Sequence, residues 1–277
     1  MNVTFWGTRG SLPCSGPDTQ IYGGNTPCVG VSVGEELLIL DAGSGIRRLG
    51  ISLKGKYSTF HLLLSHLHMD HIQGMGFFLP LYDPKAEVHI YGPAGHSAPL
   101  IDRLSRYLSP PLFPIRIREL PCRLFVHEVP ARPFNIGSFR IVAQRVIHPG
   151  VTIGYRIQHG HSVLAYLPDH EPMLGANGRP KDPVWLSGHD LAYQAGLLIH
   201  DAQFTDEEYP RFVGWGHSCL GQTLEFARLT EVRQLALFHH DPGRDDLQME
   251  ALFHQTLAKQ ALPFDASIPK EGEILVI

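Results

Sequence analysis

Ser65-His66-Leu67-His68-Met69-Asp70-His71 follows directly on the run Phe60-His61-Leu62-Leu63-Leu64. The run has strand length and does not alternate, the pattern of a strand covered on both faces. On an extended chain residues two apart point the same way, so His66 and His68 can share one cation. A turn beyond them lets Asp70 and His71 face a second. Imidazole nitrogen and carboxylate oxygen suit zinc, and also manganese or iron. A polar turn that merely caps a strand would not need this set of residues at this spacing.

Further ligands are expected where other strands end. His148 ends the strand Phe139–Ile147, Asp169 follows Val163–Pro168, and His239 follows Leu235–Phe238. Taken singly each could be a turn or capping residue; taken together, after the His66–His71 string, they form a ligand set. Strands are also expected near Val3–Trp6, Cys28–Val33, Leu37–Leu40, Val88–Tyr91, Leu124–Glu128, Thr152–Ile157 and Leu197–His200. Helices are expected near Gly95–Tyr107, Gly221–Thr230 and Asp245–Leu257, with a short one after Asp41-Ala42-Gly43-Ser44-Gly45.

Composition sets the frame. A chain of 277 residues that is 43% hydrophobic can bury a sizeable core, and with no repeat or low-complexity segment we expect one α/β domain over 1–277. The net charge of −4 leaves no basic field for a polyanion. No run is long and apolar enough to span a bilayer, and Met1-Asn2-Val3-Thr4-Phe5 lacks the features of a signal peptide, so a cytoplasmic protein is expected. Cys14, Cys28, Cys122 and Cys219 contain no C-x-x-C pair and read as free thiols. Histidine is the excess: 17 residues, internal and grouped with aspartates.

With these residues in view the chain resembles the metallo-β-lactamase superfamily, in the branch of tRNase Z and the PhnP-like cyclic phosphodiesterases. The resemblance covers essentially the whole chain. It rests on Phe5–Pro13, Tyr22–Thr26, Leu40-Asp41-Ala42-Gly43, the His66–His71 string, His148, Asp169, His200-Asp201-Ala202-Gln203-Phe204, His217-Ser218 and Phe238-His239-His240. It implies an αββα sandwich, two mixed β-sheets flanked by helices. It implies two divalent metal ions, one held by His66, His68 and His148, the other by Asp70, His71 and His239, with Asp169 bridging. His240 competes with His239, which is favoured because it directly follows the strand; His240 is then expected to support the ligands or face substrate.

The resemblance further implies a hydrolase in which a metal-activated hydroxide attacks a phosphodiester, with Asp70, His217 and Asp201 as catalytic residues. His217 would be the general acid and Asp201 its partner, Asp standing where tRNase Z has the Glu of its His-Glu-Ala-Thr motif. The flavin-linked di-iron oxidoreductases of this fold carry Glu where His68 stands, which favours hydrolysis. Asp41 is expected to support ligand histidines or to cap a helix before Ala42, and Arg9, Asn25 and Thr26 to line the cleft. About 20 residues separate His148 from Asp169, too few for a tRNA-gripping arm beside the hairpin they must build. A small or cyclic phosphodiester is therefore the expected substrate and a nucleic-acid polymer is not, with Tyr82–Pro121 and Glu171–Gly188 as lids. A thioester or lactone hydrolase, a tRNase Z-like endoribonuclease and a metal-binding regulatory protein are the alternatives. Relatives often pair, which puts a homodimer among the expectations.

Overall fold

Runs of Val, Ile, Leu and aromatic residues between Gly- and Pro-rich turns build two seven-stranded sheets. The computed structural model describes residues 1–95, 97–174, 183–258 and 261–277. The first sheet holds β1 (Asn2–Gly7), β2 (Cys28–Val33), β3 (Glu36–Leu40), β4 (Thr59–Leu63), β5 (Glu87–Gly92) and β6 (Arg123–Glu128). The second holds β7 (Phe134–Ile136), β8 (Phe139–Arg145), β9 (Ile153–His159), β10 (Ser162–Leu167), β11 (Leu197–Asp201), β12 (Gln234–Phe238) and β13 (Asp265–Ser267). The chain then returns to the first sheet, where β14 (Ile274–Val276) pairs with β1. Both sheets are mixed: β3 to β6 and β10 to β13 run parallel, the other neighbours antiparallel.

Three apolar layers follow. Phe5, Leu38, Leu40 and Leu63 of the first sheet meet Tyr155, Leu164, Tyr166 and Phe238 of the second between the sheets. Outside the first sheet, α1 (Ile46–Ser52), α2 (Met69–Ile72) and α3 (Leu100–Tyr107) bury Ile46, Leu49, Ile72, Leu100 and Leu104 against Ile39, Leu62 and Ile90. Outside the second, α4 (His189–Ala192), α5 (Leu220–Leu229) and α6 (Asp246–Leu257) cover Ala165, Leu198 and Leu235 with Leu191, Leu224 and Met249. Each sheet is apolar on both faces because helices cover one and the other sheet covers the second. This is the expected αββα sandwich. Among the described residues no helix is long and apolar enough to cross a membrane, and all four cysteines are free thiols.

Several expectations change. The helix expected from Gly95 begins at Leu100, after Pro99; residue 96 lies outside the described residues. Asp41 caps no helix, since α1 starts at Ile46 behind Gly45. Strands β7, β13 and β14 were not expected, being three residues each and too short to show a period. Tyr82–Pro121 is not a lid: it supplies β5 and α3 and packs Leu100, Leu104, Leu108, Phe113 and Ile117 into the outer core. Of the other expected lid, Glu171–Gly188, residues 175–182 lie outside the described residues.

Arg9 is fully buried and reaches away from any cleft. Its guanidinium pairs with Asp246 at the start of α6 at 2.8 Å and donates to the carbonyls of Gly23 at 3.0 Å and Arg244 at 2.6 Å. The other Asp246 oxygen accepts the Ile21 N–H at 2.6 Å. Truncating one partner strands a buried charge, which costs about 3–5 kcal/mol. Asp246→Ala should therefore lower the unfolding free energy, read by urea titration, by about that amount; a loss below about 1 kcal/mol would refute the clamp.

Candidate metal centre

The expected ligands gather at one edge of the sandwich, at the ends of strands. The chain leaves β4 extended through His66 and His68, then turns into the single helical turn α2, which carries Asp70 and His71. His148 follows β8, Asp169 follows β10 and His239 follows β12. One ligand atom each from His66, His68, His148 and Asp169 lie within 4.8 Å of one another, and so do those of Asp70, His71, Asp169 and His239. Asp169 belongs to both groups, so the two expected sets come together with the shared carboxylate between them. All are buried except His68.

Hydrogen bonds behind the ligands decide which nitrogen faces inward. His71 Nδ1 lies 2.8 Å from the Asp41 carboxylate, an acceptor only, so Nδ1 carries the proton. His148 Nδ1 donates to the Gly216 carbonyl at 2.8 Å. Ser65 spends its hydroxyl proton on Asp41 and accepts from His66 Nδ1 at 3.0 Å. With Nδ1 engaged from behind, each of these imidazoles turns Nε2 into the cluster. His66 Nε2 is buried with no hydrogen-bond partner, and His71 Nε2 lies 2.9 Å from Asp169 Oδ1, two acceptors face to face when His71 is neutral with its proton on Nδ1. Acceptors converging in a buried site are costly unless a cation receives them, so the residues fit divalent metal ions.

Electrostatics agree. Burial, reinforced by the neighbouring His71, pushes His66 well below the usual imidazole range, and burial holds His148 down to about 4. Burial would lower His71 and His239 too, but the carboxylates of Asp169 and Asp70 outweigh it, raising His71 well above normal and His239 to about 9. The carboxylate side of the cluster thus favours positive charge, which a divalent ion supplies without protonating a ligand. Backbone geometry serves the same end. Asp41 and His239 both adopt left-handed φ, +57° and +58°, uncommon for residues with a Cβ and a form of strain found at functional sites. Gly10 passes so close to the His239 ring that a Cβ there would lie 2.4 Å from it.

Beside the cluster His217 Nδ1 lies 2.6 Å from Asp201 Oδ2. Asp201 is fully buried, and its carboxylate also accepts backbone N–H groups from Gln203 at 3.0 Å and His170 at 3.2 Å. The His217 ring stacks on His239 at 4.9 Å and meets His148 edge-on at 4.9 Å. With Nδ1 engaged, Nε2 is the atom left for other chemistry.

Other expected site residues go elsewhere. His240 turns away, its Nε2 donating to the Leu237 carbonyl at 3.0 Å, and burial with Arg9 and Arg244 nearby holds it down to about 3. It lines a cavity with Arg244, Met249 and Phe253 instead of supporting the ligands or facing substrate. Asn25 and Thr26 bond Glu271, Ser44 and Gln73 and brace the loop. Sequence reasoning missed Ser65, Tyr166 and Glu171. Tyr166 was findable: a phenol in an otherwise apolar buried strand needs a partner, and its hydroxyl donates to Asp41 at 2.8 Å. Ser65 and Glu171 carried no such signal.

A family model described as a β-lactamase superfamily domain matches residues 41–240, most of the chain. Ribonuclease Z of Natronomonas pharaonis is 25% identical, in an alignment covering all of this chain and 98% of that protein. Among solved structures, the metallo-β-lactamase fold protein YhfI from Bacillus subtilis aligns with a TM-score of 0.72 at 20% identity, covering 99% of each chain. A diphosphatase of the PhnP family aligns at 0.69 and 16% identity, covering 100% of this chain and 97% of that one. The chain therefore belongs to the metallo-β-lactamase superfamily, as a metal-dependent hydrolase with ribonuclease Z among its relatives.

Proposed function

We propose that residues 1–277 act as one cytoplasmic hydrolase domain that cleaves a small or cyclic phosphodiester, with His66, His68 and His148 holding one divalent ion, Asp70, His71 and His239 the other, and Asp169 bridging. Zinc suits these ligands, with manganese or iron as alternatives. Divalent ions held by these residues would supply Lewis-acid charge toward a phosphoryl group and make water more acidic. The residues do the rest. Ser11 N–H fixes the Asp70 carboxylate at 2.8 Å, placing it to take up the proton that the nucleophile releases. Asp201 holds His217 by Nδ1, so Nε2 delivers a proton to the leaving oxygen.

The observation that carries a small substrate is the short path from His148 to Asp169. It is spent on β9 and β10, joined through Gly160-His161, and no arm projects from it. A second reading, an endoribonuclease acting on tRNA, has one observation in its favour: the ribonuclease Z relative matches over its full length. Metal-loaded protein assayed on bis-p-nitrophenyl phosphate, cyclic nucleotides, an unprocessed tRNA and a thioester separates these. Turnover of cyclic nucleotides is expected; cleavage of tRNA without them transfers the function to the second reading, and turnover of the thioester alone refutes both.

His217→Ala should lower kcat about 10²–10⁴-fold on a diester with an alkoxide leaving group and much less on a nitrophenyl ester, whose leaving group needs little protonation. Metal content should stay at the wild-type level. Equal losses on both esters would remove His217 as proton donor. Asp169→Ala should reduce the bound metal, counted by elemental analysis, because it deprives both ions at once; unchanged stoichiometry would refute the bridging role.

A further inference from the structure

Three consecutive residues beyond β10 leave in different directions. Asp169 points its carboxylate into the histidine cluster. His170 gives its N–H to Asp201 and takes the Ser218 hydroxyl on its carbonyl at 2.6 Å. Glu171, fully buried, turns its carboxylate the other way. Its Oε1 accepts the Gly214 N–H at 2.9 Å and the Tyr209 hydroxyl at 2.7 Å, and its Oε2 accepts the Gly216 N–H at 2.7 Å. Nothing in the reaction proposed above uses this carboxylate.

The loop it grips carries two elements of the site. The Gly216 carbonyl is the acceptor that fixes His148 Nδ1, and the next residue is His217. Gly214 and Gly216 both have φ of +86°, so the loop takes a path closed to most side chains. A Cβ on Gly216 would lie 2.2 Å from the Pro149 ring and 2.5 Å from His148 Nδ1. At the start of the loop Phe212 stacks on Phe204 at 4.4 Å, but beyond it Val213 is 54% and Trp215 61% exposed. Between the Phe212 stack and Ser218, whose hydroxyl bonds the His170 carbonyl, the stretch from Gly214 to Gly216 is held inward by its amides on one buried acceptor, and two amides turned inward need such an acceptor.

We infer that Glu171 is a positioning residue that sets His148 and His217 together, by fixing residues 212–218 against the segment that bears the bridging Asp169. The metal pair and the proton donor are then tied through a span of three residues. This rests on the reading of His217 as proton donor, while the hold on His148 does not.

The test compares wild type, Glu171→Gln and Glu171→Asp as full-length, metal-loaded protein with three readouts. Hydrogen exchange at the Gly214 and Gly216 amides should quicken about tenfold or more in Glu171→Gln, with α6 unchanged. Chelator titration should release one ion at about tenfold lower chelator, as expected when the partner of a ligand histidine is loosened. The kcat on an alkoxide-leaving diester should fall further than on the nitrophenyl ester, with KM held within about twofold. Glu171→Asp, which keeps the carboxylate one methylene back, should recover part of each; if Glu171→Gln does not fold, Glu171→Asp is judged on the same readouts. Unchanged exchange at Gly214 and Gly216 overturns the inference. So do faster exchange in α6 and equal losses on the two esters, the pattern of a carboxylate that only supports the fold. Should the wild type hydrolyse neither ester, the proposed function fails, and exchange and chelator release still decide the role of Glu171.

Discussion

One buried carboxylate joins the two sheets to the histidine–aspartate cluster. Asp41, at the end of β3, accepts from the Ser65 amide at 2.7 Å and hydroxyl at 2.8 Å, from His71 Nδ1 at 2.8 Å and from the Tyr166 hydroxyl of the opposite sheet at 2.8 Å. A buried anion is tolerable only when donors satisfy it, and here the donors are the parts that must be aligned. Satisfying Asp41 orients His71 directly and His66 through Ser65, and fixes the distance between the sheets where the ligands meet. The left-handed backbone at Asp41 is consistent with a position where function outweighs local ease.

The same arrangement recurs on the second sheet. Asp201 ends β11 as Asp41 ends β3, each buried, each beside a parallel neighbour, each holding an imidazole by Nδ1. Parallel strands deliver their ends to one edge, so two mixed sheets packed face to face bring two sets of strand ends together. The first sheet contributes the His66–His71 string and the second contributes His148, Asp169 and His239. Neither half holds a full ligand set. Packing of the two sheets therefore assembles the cluster, and a bound cation would offset the burial of the acceptors that the sandwich brings together.

The clustering of His66, His68, Asp70, His71, His148, Asp169 and His239 was legible because its pattern is periodic and local: two-residue spacing in the His66–His71 string, and single His or Asp residues directly behind apolar runs of strand length. Strands β2 and β4 were legible for the same reason, as was α6, where Asp245 caps the helix and accepts the Gln248 amide. What escaped notice acts through tertiary contacts. Glu171 resembles any acidic turn residue until its carboxylate is seen to face Gly214 and Gly216, some forty positions on. Arg9 looked like a cleft residue because it belongs to a Gly-rich loop, yet its partner Asp246 is 237 positions away. Tyr82–Pro121 looked like a lid because prolines are common in loops; its prolines punctuate a segment whose Leu and Phe residues belong to the outer core.

The choice between a small diester and a polymer turns on how each is held. A nucleic acid is gripped chiefly through its phosphates, by cationic groups spread along the backbone, whereas a small diester offers one phosphate and needs its contacts at the reacting centre. This chain has a net charge of −4, and buried cations such as Arg9 are spent on the fold. Its conserving use of chain between His148 and Asp169, two strands and a tight turn, fits an enzyme whose recognition is concentrated at the ions and the adjoining imidazoles. The buried polar contacts follow the same division: Asp41 holds His71, Asp201 holds His217, and Glu171 joins the loop that carries His217 to the segment that carries Asp169.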